Sequence, residues 1–144
     1  MSEVLVSVDV SLIHDGKLEA LKAAMRNLVD FVGANEPEPL AYHAYLDESS
    51  SRMTVFQIHP NPYSMERHMK VAGPAFPTFS ELLTLLRIDI YGTPTDALLD
   101  LLRNKARMLG DAELTVHGLQ AGFTRLDMPH AVPEKAASDL RAIP

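Results

Sequence analysis

Two of the six histidines, His59 and His68, fall within the short stretch Phe56 to Phe79, FQIHPNPYSMERHMKVAGPAFPTF. Histidine is the side chain whose ordinary pKa lies nearest neutrality, so it suits general acid–base work on a bound substrate. Asp9 is the third candidate for catalysis, since a carboxylate beside His59 would orient the ring and stabilise its protonated form. Gln57, Tyr45 and Arg87 are candidate hydrogen-bond donors to a developing oxyanion. His43 and Phe76 complete the set of candidate substrate contacts.

Each of these residues also has a purely structural reading. His68 belongs to the apolar stripe Met65, His68, Met69, Ala72 and Phe76, where a histidine can simply pack and bond one backbone carbonyl. His59 precedes Pro60 and could be a turn residue with a solvated ring. Asp9, in a valine-rich strand, could pair with Arg87 for structure alone, because an unpaired buried carboxylate is costly. His43 and Tyr45, with Asp89 and Tyr91, could line an interface between subunits as readily as a pocket.

The remaining chemistry narrows by exclusion. With no cysteine among the 144 residues, disulfides, thiolate nucleophiles and thiolate metal sites are ruled out. His14, His117 and His130 are scattered, and neither His-x-x-x-His nor Glu-x-x-His occurs, so no metal is expected. There is no glycine-rich phosphate loop, Gly-x-Ser-x-Gly elbow or dinucleotide fingerprint, and no cofactor is expected. Thirteen basic against nineteen acidic residues give a net charge of −6 with no basic cluster, which disfavours nucleic acid and anionic membranes as partners. No apolar run is long enough to span a bilayer and the first residues do not resemble a signal peptide, so a cytoplasmic location is expected.

The elements that must position these side chains follow from periodicity. Val4 to Val10 alternates in steps of two, the mark of a strand with two different faces. Asp15-Gly16 opens a helix with Leu18, Leu21, Met25, Leu28 and Val32 on one side, expected to stop at Gly33. After the Pro37-Glu38-Pro39 break, Leu40 to Asp47 and Arg52 to His59 read as a hairpin around Glu48 to Ser51. Asn61-Pro62 starts a second helix, broken at Gly73-Pro74 and expected to resume through Phe79, Leu82 and Leu86. Arg87 to Tyr91 is then a fourth strand. The order β-α-β-β-α-β predicts an α+β, ferredoxin-like sheet in residues 1–92, with strands one and three adjacent and parallel. Their C-terminal ends would then bring Asp9 and His59 together. Both alternating sets of residues are too apolar for either sheet face to meet water, which predicts a homodimer packed sheet on sheet.

The run DGKLEALKAAMRNLVDFVGANEP, the pattern from Phe56 through His68-Met69 to Gly73-Pro74-Ala75-Phe76, and Ala121 to Arg125 resemble the antibiotic biosynthesis monooxygenase (ABM) type of dimeric α+β barrel. The resemblance spans roughly residues 4–126. It implies a pocket in each subunit between sheet and helices, and a cofactor-independent monooxygenase acting on a small aromatic quinol or phenol. A non-catalytic dimeric binding or accessory protein of the same fold is the alternative. Some relatives bind and degrade haem. Here Asp9 stands where those carry asparagine, His59 stands where they carry an aromatic residue, and only His68 matches, so two of three positions depart from that pattern. Residues 93–144 read as an appendage of the same domain: a helix from Thr93-Pro94 to Leu109-Gly110, a short strand from Leu114 to His117 that could join a partner's sheet, and a proline-bearing tail from Pro129 to Pro144 expected to dock on the protein.

Overall fold

The alternating valines become strand β1, Leu5–Ile13, and the alternation sorts its side chains strictly. Leu5, Ser7, Asp9, Ser11 and Ile13 are buried, while the valines between them are only half covered. The polar set of the strand is thus the one beneath the helices. A computed structural model describes residues 3–126 of the chain, and the tail from Pro129 to Pro144 lies outside the described residues.

Helix α1, Leu18–Asn35, lays Leu21, Met25, Leu28 and Val32 on the sheet. Burying each such side chain contributes about 1.5–3 kcal/mol, which more than offsets one helical glycine. The helix accordingly passes through Gly33, and its C-cap is Glu36. Strands β2, Ala41–Asp47, and β3, Arg52–His59, form the predicted hairpin. Helix α2, Pro62–Ala72, is capped by the Asn61 side chain, which accepts from the Ser64 N–H at 2.9 Å. A 3₁₀ turn at Gly73–Ala75 leads to the single-turn helix α3, Phe76–Phe79. There the helical path ends. Leu82 and Leu86, expected on the helix, instead precede and enter strand β4, Leu83–Tyr91, which begins four residues before the predicted Arg87. Leu83, Leu85, Ile88 and Ile90 feed one core from this strand, and period-two burial with a bulge opposite Val10/Ser11 outweighed the leucine spacing.

The sheet is α+β with strand order β2-β3-β1-β4-β5, the fifth strand being Glu113–His117. Strands one and three are adjacent as expected but antiparallel, which corrects the predicted direction. The hairpin reverses the chain between the crossover strand β2 and its neighbour β3, so only β2 can run parallel to β1. His59 therefore lies opposite Leu5, and Asp9 opposite Val55. Helix α4, Asp96–Leu109, is capped by the Thr95 hydroxyl, which accepts from the Leu98 N–H at 3.0 Å, and buries Leu98, Leu102, Lys105, Ala106 and Leu109. Strand β5 pairs in parallel with β4 of its own chain.

Candidate functional site

His59 closes β3 with its side chain on the helix-covered face, fully buried. It is neither a solvated turn residue nor a partner of Asp9. Its Nδ1 accepts from the Ser64 hydroxyl at 2.7 Å, and its Nε2 donates to the Gln57 carbonyl oxygen at 2.8 Å. Both neighbours are uncharged, so burial first, and the charge of His68 second, push the ring down to about 3. A ring so weakly basic stays neutral near pH 7 and makes a poor base. Gln57, a predicted oxyanion donor, is instead the residue that orients His59.

His68 is in a different situation although the two ring centroids are only 5.9 Å apart. On α2, it faces the end of α1, where its Nδ1 donates to both carboxylate oxygens of Glu36, at 3.0 and 3.1 Å. Both side chains are buried. The opposite nitrogen, Nε2, is buried with no hydrogen-bond partner among the described residues. A carboxylate on one nitrogen and a bare second nitrogen is the arrangement of a general acid–base histidine. Glu36 was absent from the sequence expectations. Its signal was available, since a carboxylate at the negative end of a helix is disfavoured by the macrodipole and so points to a compensating partner.

Asp9 meets neither histidine by hydrogen bond, and Arg87 does not reach it. Its Oδ2 accepts from the Lys105 ammonium at 2.6 Å, and the Ser7 hydroxyl lies 3.4 Å from its Oδ1. Lys105 comes from α4, where it sits on the buried stripe seven residues beyond Leu98 and four before Leu109. Its ammonium lies 4.7 Å from the centroid of the Phe76 ring. Asp9, Ser11, Tyr42, Phe76, Phe79 and Lys105 are the polar and aromatic wall of a cavity of about 40 Å³. Tyr42 and Phe76 also touch the His68 ring, with centroids 5.1 and 6.4 Å away. Burial, then the charges of Asp9 and Glu36, holds the Tyr42 hydroxyl well above the usual tyrosine range, so it remains a donor.

The cavity adjoins a groove. Met25, Tyr42 and Met53 wall it on one side and also floor an open groove of about 660 Å³ between α1 and the edge strand β2. His43 and Tyr45, bonded to each other at 3.0 Å, stand at the rim of that groove and not beside the histidines. Arg87 is exposed on the opposite sheet face and pairs with Asp89 at 3.1 Å. Of the eight predicted site residues, His59, His68, Gln57 and Phe76 lie around the buried histidines, Asp9 lines the adjoining cavity, His43 and Tyr45 rim the groove, and Arg87 is apart. No group of three His, Asp or Glu side chains among the described residues is arranged to hold a metal. The cavity of about 40 Å³, from which Tyr42 and Phe76 separate the His68 ring, does not fit haem, although the Glu36-bound ring would suit an axial ligand.

No family model matches the chain, and no curated protein matches it. Solved structures do. MupZ from Pseudomonas fluorescens is 17% identical and superposes over 91% of this chain and 99% of its own with a TM-score of 0.67. A conserved protein from Methanosarcina mazei Go1 is 19% identical over 62% of this chain and 92% of its own, TM-score 0.56. A protein from Chloroflexus aurantiacus J-10-fl, described as a "putative antibiotic biosynthesis monooxygenase", is 14% identical over 65% of this chain and 94% of its own, TM-score 0.51. The chain has the ABM-type fold. At such identities the ABM-type likeness concerns backbone architecture, and the match to MupZ extends past the four-stranded core into the appendage that supplies Lys105.

Proposed function

We propose that this protein is a cofactor-independent oxygenase of small aromatic quinols or phenols, with His68 as the proton-transfer residue and Glu36 as the residue that positions it. The observation that carries this reading is the buried Nε2 of His68, which has no partner among the described residues while Nδ1 is fixed by a carboxylate. Such an atom is costly to leave bare in a fold that needs only stability. It takes a proton from a hydroxyl presented past Tyr42 and returns it later in the cycle, and Glu36 stabilises the imidazolium between. The name of the Chloroflexus relative, antibiotic biosynthesis monooxygenase, is consistent with oxygen as the second substrate. An aromatic ring fits the open groove, with its hydroxyl turned inward.

Oxygen uptake with a panel of hydroquinones tests the proposal. Uptake above the spontaneous rate is expected for the wild type, with a fall of about 10²-fold or more in His68→Ala and a smaller fall in Glu36→Gln. Equal background rates in all three proteins overturn it. A second reading, a non-catalytic dimeric ligand-binding protein, is favoured by the small size of the inner cavity, which admits an oxygen atom and not a ring. It predicts hydroquinone binding with no oxygen consumed.

A further inference from the structure

Lys105 is a charged residue in an apolar position. It occupies the buried stripe of α4 that otherwise carries Leu98, Leu102, Ala106 and Leu109. Desolvating an ammonium and a carboxylate costs several kcal/mol, and an apolar pair of similar volume generally serves stability as well or better. Packing alone thus gives no reason for Asp9 and Lys105. The pair also does not use all of the ammonium's capacity, since Asp9 takes one donor of three. Lys105 lines a cavity that is also lined by Tyr42, whose hydroxyl is kept protonated by its surroundings.

We infer that this cavity is an oxyanion-binding site, which takes the ionised oxygen of a phenol or enol against the Lys105 ammonium and the Tyr42 hydroxyl while the ring lies in the groove between α1 and β2. The dimensions fit that division. About 40 Å³ holds an oxygen substituent, whose demand is close to that of a water molecule, and the groove of about 660 Å³ holds a ring. The shared residues Met25, Tyr42 and Met53 stand between the two. Asp9, from β1, keeps the empty site neutral and fixes the ammonium. The other ionisable groups nearby are Glu36 and His68, behind Tyr42, which form their own pair, and Lys22, Arg26 and Asp30 of α1, which line the groove. The neighbouring side chains of α1 and α3, Met25, Leu28, Phe76 and Phe79, are apolar, so the cation's field is little screened. On ionisation the O–H bond breaks, its electron pair stays on oxygen, and the proton passes to the buffer or to His68.

This inference names the group that the site of the proposed oxygenase holds, but it does not depend on oxygen chemistry. 4-Nitrophenol tests it, because its ionised and neutral forms absorb differently and are followed directly. Bound to the wild type, the probe is expected to ionise at lower pH than in solution. Lys105→Met is expected to weaken nitrophenolate binding about tenfold or more, and Tyr42→Phe by several-fold. The double variant Asp9→Asn/Lys105→Met removes both charges together and guards against misfolding, checked by circular dichroism; it is expected to lose the ionisation shift. His68→Ala is expected to keep the shift while losing oxygen uptake, so the two proposals fail separately. Absence of binding, binding of the neutral form alone, or an undiminished shift in the folded double variant overturns the inference.

Discussion

His59 and His68 stand 5.9 Å apart, and their partners assign them opposite duties. His59 lies between a serine and a glutamine, neither of which supports a positive charge. His68 lies against a carboxylate. This contrast predicts an acid limb in stability. The folded pKa of His59 is pushed down to about 3 from an ordinary value of 6.5, so between those values the unfolded chain binds a proton that the folded chain refuses. Stability contributed by this residue is full above about pH 6.5 and declines as pH falls toward 3, by about 1.4 kcal/mol per pH unit. Urea titrations at pH 7, 5.5 and 4 should show it, and His59→Gln should flatten the slope by one proton's worth. An unchanged slope in the variant would place the acid sensitivity elsewhere.

At the scale of elements, α4 and β5 turn a four-stranded sheet into a closed site. Strand β5 covers one edge of the sheet, and α4 carries Lys105 across to β1. The turn between them depends on Gly110, with φ +142°, where an added Cβ would sit 2.6 Å from the Thr84 methyl and 3.0 Å from the Leu85 carbonyl oxygen. Gly110→Ala should cost about 1–3 kcal/mol in chemical denaturation, through strain and displacement of β4. The Asp9–Lys105 link predicts a sharper contrast. Lys105→Met alone strands a buried carboxylate and should cost about 3–5 kcal/mol, whereas removing both charges with Asp9→Leu/Lys105→Met should be near neutral. Equal losses in the single and double variants would show that the two charges do not depend on each other.

On the whole molecule, the four helices of the described residues cover one face of the sheet, and the opposite face presents Val6, Val8, Val10, Phe56 and Ile58, each only half covered. We propose that a second copy of the chain covers this face. Light scattering should then give twice 15.9 kDa. Val8→Glu should yield the monomer, because one desolvated carboxylate at the centre of such an interface costs several kcal/mol. Asp9, Lys105 and His68 point to the other face, so nitrophenol binding should survive that change. A wild type that runs as a monomer would leave the valines of β1 without an explanation.

Local periodicity and turn chemistry made most of the fold legible in the residues. The alternation of β1, the hairpin from Ala41 to His59, the Asn61-Pro62 helix start and the strand ending in His117 all follow from neighbours in sequence. Where local signals competed, as at Gly33 and between Phe79 and Arg87, burial against distant partners determined the outcome. The importance of His68 was readable, but its role was not, because Glu36 lies 32 residues away. Lys105 is 96 residues from Asp9 and meets it only because β5 draws α4 back over the sheet. Residue types and spacings identified which side chains are costly to bury. Which of those costs are met in pairs, and which atom is left bare, depends on long-range contacts that form when the mixed sheet closes under its helices.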